Sequence, residues 1–400
     1  MAKISNLVSA SSLEDLKSGQ FNATTSFDPL LTSNELRSTY HVYHKRERHA
    51  VLTTAVDSTR ERWSGPNVKE LKAERIQRKL SRTRTIPCPG NQSTELDAVD
   101  NDASFLLYTP YLSFHDPPRV LYTQTSNVGV PLMLIHTKSF WRSYKLQFGP
   151  SIAKPGVIDP RGVVSWKNNG GDKKILKSDD QRLKGYKVKT WRLWGEGGKE
   201  YVHNLRAKRK ANVGPDPDVL EDETEAIDQA AVRAEYVVYL KWTSPFSRDT
   251  RRYHFHFEGI DFYWKGTGTV KETRTCGIWC HFSHLKLVAK LPATEDGQQL
   301  EVCLGKYTSS IASKKHGTLD LFDGAIWHLM VDYMPSALPR VSREGLADST
   351  QEQLSAVKKT WLYNVIVATS MCMILGEKHK RATVRQILEA AASEGGGGGG

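Results

Sequence analysis

Near the end of the chain, Trp361 to Leu375 runs for fifteen residues without a charge, interrupted only by the polar side chains of Asn364, Thr369 and Ser370. These three do not share a helical face, so the segment is apolar nearly all round. A helix of that kind is buried in a core or in a membrane. Strand alternation is absent, and the run is too long for a single strand. Ser349 or Thr350, followed three residues on by Glu352 or Gln353, predicts a capping box at its start. Gly376, with Lys378, His379, Lys380 and Arg381 after it, predicts its end. At 1.5 Å per residue the run reaches about 22 Å, short of a hydrocarbon layer of about 30 Å. Lys358 and Lys359 stop it from extending upstream. The segment is therefore expected to be a core helix, with a tail anchor as the competing expectation.

What encloses this helix is read from the rest of the chain. Short β-like runs separated by Pro and Gly cover 105–109, 119–123, 131–136, 140–148, 186–194, 199–205, 235–242, 251–265, 280–290, 300–306, 318–322 and 325–332. They are not interleaved with helices, which argues against a parallel α/β sheet. No fixed-period repeat is present, which argues against a propeller or a solenoid. A closed antiparallel barrel removes edge strands, and its interior can accept a helix. The expected fold class is mainly β, a closed antiparallel β-barrel of about twelve strands enclosing the hydrophobic C-terminal helix. Residues 1–103 read as a basic, largely disordered N-terminal extension with a helix at 67–82. The barrel is expected over 104–376, with its core helix at 350–375 and a disordered acidic loop at 212–228. Residues 377–400 read as a tail with a short helix and six terminal glycines.

The net charge of +12 and pI of about 9.3 suit phosphate-rich partners, either an anionic membrane surface or nucleic acid. Residues 45–84 hold twelve Lys or Arg against five Asp or Glu, with Val68, Leu71, Ile76 and Leu80 at helical spacing. This pattern fits a nucleic-acid arm, a nuclear-import signal or a membrane-surface helix, and equally a solvated surface helix. Five cysteines, odd in number and unevenly spaced, suit a reducing compartment. The N-terminus lacks the apolar region of a secretory signal. The expected location is intracellular, cytoplasmic or nuclear, and peripheral to a membrane where it meets one.

Candidate chemistry is sparse. Cys276, Cys280, His281 and His284 form a C-x3-C-H-x2-H pattern with zinc-ligand chemistry. On one strand, however, Cys276, Cys280 and His284 span about 26 Å and His281 points to the opposite face, so no metal is expected there. His254 and His256 form an H-x-H pair with Glu258 continuing the same face, the ligand set of a metal or small-molecule barrel enzyme. The competing reading is a polar outer face on an aromatic-backed strand. No G-x-S-x-G, P-loop or H-E-x-x-H motif is present, and no cofactor is expected. The stretch 173–210 is dense in Lys and Arg and interleaved with Tyr186, Trp191, Trp194 and Tyr201. On strands it would form a cationic face with aromatic edges, suited to phosphate groups or a membrane interface. Lys187, Lys189, Arg206, Lys208 and Arg209 are the expected lipid-binding residues, on or beside one hairpin. The acidic loop, with seven Asp or Glu between 212 and 228, carries the complementary charge to mask them.

An antiparallel β region ending in one apolar helix, Trp361 to Leu375, with the aromatic alternation Tyr253-His-Phe-His-Phe257, resembles the tubby C-terminal-like superfamily. That group includes the tubby proteins, the plant LURP-one-related proteins and the phospholipid scramblases. The resemblance covers about residues 104–376 and is one of layout, so no individual residue carries over. It implies a twelve-stranded barrel around a hydrophobic helix and a non-enzymatic module that binds phosphoinositide-type lipid. Nucleic-acid association through 45–84 and the basic strands is the second function class, and the His254/His256 enzyme the third.

Overall fold

The computed structural model describes residues 37–45, 49–64, 67–73, 75–76, 104–112, 115–123, 129–138, 143–159, 161–187, 232–242, 252–266, 284–292, 300–310, 312–338 and 355–395. Twelve antiparallel strands close into a barrel in simple up-and-down order, each pairing with its neighbours in sequence. They are β1 (Arg37–Lys45), β2 (His49–Thr53), β3 (Phe105–Tyr108), β4 (Arg119–Thr123), β5 (Pro131–Lys138), β6 (Ser143–Phe148), β7 (Tyr236–Trp242), β8 (Arg252–Phe257), β9 (Ile260–Lys265), β10 (His284–Lys290), β11 (Glu301–Ser309) and β12 (Lys315–Phe322). The seam joins β1 to β12, from Arg37↔Phe322 to Tyr43↔Lys315. Across it Arg37 pairs with Asp320 at 3.0 Å, and Thr39 Oγ1 donates to Asp320 Oδ1 at 2.7 Å.

Among the helices of the described fold are α1 (Ser58–Glu61), α2 (Lys173–Ser178), α3 (Asp323–Tyr333) and α4 (Trp361–Gly395). α4 fills the barrel. Leu362, Val365, Ile366, Ala368, Met371 and Ile374 belong to one buried cluster with inward side chains from the wall, among them Tyr40, Leu52, Leu121, Ile135, Leu146, Phe255, Trp264 and Leu287. Period-two alternation puts every second residue of a strand on this inner face. Each large apolar side chain so buried contributes about 1.5–3 kcal/mol.

The helix's polar groups are satisfied locally or by the wall. Thr369 Oγ1 and Ser370 Oγ donate to the carbonyls of Ile366 (3.0 Å) and Val367 (2.7 Å). Trp264 Nε1 donates to Thr369 Oγ1 at 3.4 Å, Tyr40 and Tyr363 share a hydroxyl hydrogen bond of 2.9 Å, and Tyr253 OH donates to Glu377 Oε1 at 2.8 Å.

The expected fold class is therefore the observed one, with corrections at its margins. The barrel begins at Arg37, not at 104, because β1 and β2 supply one seam strand and its neighbour. Of the predicted helix at 67–82, residues 68–73 and 75–76 are helical, and 74 and 77–82 lie outside the described residues. The core helix starts after Thr360, whose Oγ1 accepts from Tyr363 N at 3.3 Å as an N-cap does. It runs on through Gly376, which is no C-cap. A Cβ at 376 would stand 3.0 Å from Tyr144 OH and 3.4 Å from Tyr253 OH, so this glycine lets the wall approach. The predicted separate tail helix is a continuation of α4.

Residues 325–332 form α3 in place of a strand, with Ile326, Trp327, Leu329 and Met330 packed into the core at one end of the barrel. The run 251–265 is a hairpin, turned at Glu258 (φ +44°) and Gly259 (φ +84°). Of the predicted strand 186–194, Tyr186 makes a single bridge to Ser165, and 188–194 lies outside the described residues. The predicted strand 199–205, the predicted capping box at 349–353 and the acidic loop 212–228 also lie outside them.

Two further layers cover the barrel. Between β6 and β7 the chain folds back over the outside of β2 to β5, burying Ile152, Val157, Val164 and Leu183 against Val51, Leu106, Val120, Tyr122 and Leu134. After β2 it returns along the seam, where Lys315 Nζ donates to both oxygens of Glu61 at 2.7 and 2.9 Å and Tyr43 OH donates to Glu61 Oε1 at 2.6 Å.

Candidate functional site: the cationic mouth of the barrel

The two ends of the barrel differ. At the closed end α3 covers the strands, and Trp361 packs on Phe148 with ring centroids 5.5 Å apart. At the other end α4 leaves the barrel beside a cavity of about 570 Å³. It is lined by the last or first residues of six strands and by the helix: His44 of β1, His49 of β2, Thr109 after β3, Arg119 of β4, Lys138 of β5, His316 of β12, and Leu375, Lys378 and His379 of α4. The β3–β4 connection adds Tyr111, Leu112, His115 and Asp116.

Five imidazoles and three cations (Arg119, Lys138 and Lys378) meet one carboxylate, Asp116. The strand pleat explains several of these positions. Arg119 continues the inward row of Leu121, and His44 the inward row of Tyr40 and Val42. Lys378 Nζ donates to His44 Nε2 at 2.9 Å, and the His44 and His316 rings lie 3.9 Å apart, centroid to centroid. His49 Nδ1 accepts from Thr109 N at 3.0 Å while its ring stacks on Tyr108.

Burial, then the charges of Lys378, Lys314 and Arg60, depress His44 to about 4. Burial, then Arg119 and Lys378, depress His379 as well. Burial also lowers the Arg119 guanidinium, while Tyr144, Cys372 and Asp116 act in the opposite sense. Burial first, and the neighbouring cations second, keep the depressed imidazoles neutral at pH 7. An anion placed there would offset the cationic part of that depression and favour their protonated forms.

The predicted lipid-binding residues are only partly visible. Lys187 is exposed, its ammonium 4.8 Å from the centre of the Trp166 ring; Lys189, Arg206, Lys208 and Arg209 lie outside the described residues. The described part of the basic stretch reaches the mouth at Lys184 and Tyr186: Tyr186 packs edge-on to His115 with centroids 6.1 Å apart and carries Lys184 over its own ring at 5.1 Å.

His254 and His256 lie on the outer side of the β8–β9 hairpin and share Asp261 Oδ1, at 2.8 and 3.0 Å. Glu258, expected beside them, sits in the turn and accepts from Ser336 Oγ at 2.6 Å. The barrel interior that a His254/His256 enzyme would need is occupied by α4. Cys276, Cys280 and His281 lie outside the described residues; His284 opens β10. Among the described residues no three His, Cys, Asp or Glu side chains are grouped to hold a metal. Nor, among them, is any helix long and apolar enough to cross a membrane.

Sequence reasoning missed the mouth because its residues arrive singly from six strand ends and form no local motif. Lys378 and His379 were in view, but as cations suited to a helix C-terminus. No family model, curated protein or solved structure matches this chain.

Proposed function

We propose that the chain is a non-enzymatic binding module that takes the phosphorylated headgroup of an anionic phospholipid into the mouth of its barrel. The observation that carries this reading is the cavity itself. Its volume of about 570 Å³ lies in the range of small-molecule sites, and its lining has three cations and five imidazoles against one carboxylate. Arg119 can meet a phosphate bidentately, and Lys138 and Lys378 supply point charges. The overall charge of +12 adds a long-range attraction toward an anionic surface. The layout, a helix threaded through a twelve-stranded barrel, supports kinship with the tubby C-terminal-like superfamily and its lipid-binding members. On this reading the protein works at the cytoplasmic face of a membrane.

The test is calorimetric titration with inositol hexakisphosphate, together with co-sedimentation on phosphoinositide-containing and neutral vesicles. Wild type is expected to bind the soluble phosphate and to prefer the phosphoinositide vesicles. Lys138→Gln/Lys378→Gln is expected to weaken both by about tenfold, the loss of two charge-assisted contacts. Equal binding to neutral vesicles, or an unaltered double variant, would remove the reading. Displacement by duplex DNA in preference to inositol phosphate would move it to nucleic acid.

A further inference from the structure

Among the described residues, five of the eleven exposed large apolar side chains lie between Val56 and Ile76, so exposed apolar surface is concentrated in the β2–β3 connection. Trp63 is 62% exposed, Val68 68%, Leu71 38% and Ile76 58%. A scattered exposed Leu needs no explanation, but a cluster with an exposed Trp marks an interaction surface.

The cluster is built, and it sits beside the mouth. Trp63 O accepts from Ser313 N at 3.2 Å in the β11–β12 loop. The next residue of that loop, Lys314, accepts through its carbonyl from His44 N at 2.9 Å, and His44 lines the cavity. The helical turn that follows is fixed by a reciprocal cap: Asn67 Oδ1 accepts from Glu70 N at 2.9 Å, and Glu70 Oε2 accepts from Asn67 N at 2.7 Å. Arg62 then ties this turn back with a 2.6 Å ion pair to Glu70.

At about 100° per residue, Val68, Lys69, Leu71, Lys72, Arg75 and Ile76 fall within one arc of about 160°, and Glu70 falls outside it. Apolar and cationic side chains on one face, with Glu70 off it, is the charge pattern that complements an anionic bilayer rather than a neutral apolar partner.

We infer that Trp63 and the 68–76 turn dock the protein on an anionic membrane, apolar side chains in the headgroup boundary and Lys69, Lys72 and Arg75 at the phosphates, with the mouth of the barrel beside the contact. The inference rests on the membrane reading of the mouth but on different residues, so the two separate experimentally.

The experiment compares wild type with Trp63→Ala/Leu71→Ser/Ile76→Ser, a variant of unaltered charge at exposed positions, checked for an unchanged melting transition. Partitioning is measured on phosphatidylcholine vesicles with and without phosphatidylserine, and inositol hexakisphosphate binding is measured in solution. The expected result is at least about tenfold weaker partitioning onto the phosphatidylserine vesicles with inositol phosphate binding unchanged. That result supports the docking even if inositol phosphate binds neither protein, in which case the headgroup reading alone fails. Partitioning equal to wild type overturns the docking while leaving a phosphate-binding mouth intact. Partitioning of wild type that is the same with and without phosphatidylserine overturns the anionic-bilayer assignment, as does a parallel loss of soluble-ligand binding in the variant.

Discussion

The closed end and the mouth are built from the same strands and the same helix, yet they carry opposite chemistry. At the closed end the buried polar groups form a small, internally bonded set: Ser38 Oγ donates to Asp323 Oδ2 at 2.5 Å, and Tyr363 bonds Tyr40. At the mouth, imidazoles and cations gather around open volume. The difference teaches where stability and binding are separated. A change at the closed end or in the barrel is expected to alter folding, and a change at the mouth to alter ligand affinity.

The largest effect expected is in the barrel. Ile366 is fully buried in the core cluster, and Ile366→Asp places an unpaired charge there. A loss of several kcal/mol is expected, enough to prevent soluble expression. Normal yield and melting temperature of that variant would break the comparison at its root.

Next comes Asp323, whose carboxyl burial pushes up to about 6. A folded-state pKa above the ordinary value of about 3.9 gives stability that is complete below pH 4 and lost as pH rises through 6. Asp323→Asn should therefore match wild type near pH 4 and exceed it above pH 6, by up to about 3 kcal/mol at about 1.4 kcal/mol per pK unit. Urea unfolding of both proteins across pH 4–7 checks this.

At the mouth the sign concerns binding. His44 and His379 have depressed pKa values, so a bound anion favours their protonation and binding takes up protons. Affinity for inositol hexasulfate, whose charge is constant in this range, should rise roughly three- to tenfold from pH 8 to pH 5.5. A flat profile would show that these imidazoles do not sense the ligand. The smallest effect is expected at the flank, where Lys187→Gln should reduce binding to anionic vesicles about twofold or less, as one exposed charge does.

The sequence exposed the barrel more fully than the site. Wherever inward apolar and outward polar residues alternate, as in Tyr253, Phe255 and Phe257 against His254 and His256, the strand was legible. β1 escaped because Arg-Ser-Thr-Tyr-His-Val-Tyr-His-Lys places only Tyr40 and Val42 in the barrel-core cluster; Tyr43 is buried but bonds Glu61 instead, and the remaining side chains are polar. α3 reads as a strand in sequence because Ala325-Ile-Trp-His-Leu-Met-Val carries apolar residues at both periods; in the fold it is a helix at the barrel's end. The core helix was legible in kind and not in extent, since a glycine admitted by two tyrosine hydroxyls looks in sequence like a stop. The mouth depends on register across six strands, which no local pattern encodes.

The seam has a consequence for how the chain acquires its structure. β1 pairs with β12, so Arg37 waits for Phe322, and the helix that fills the interior is synthesised later still. During synthesis the first strands leave the ribosome with an apolar side that has nothing to pack against; closure cannot precede the emergence of Phe322, and filling of the interior cannot precede that of Leu375. Long-range pairing of this kind folds slowly and leaves intermediates open to aggregation. A segment made after every strand is thus the centre of the finished core, and a nascent chain halted before Trp361 would be a target for chaperones rather than a partly working protein.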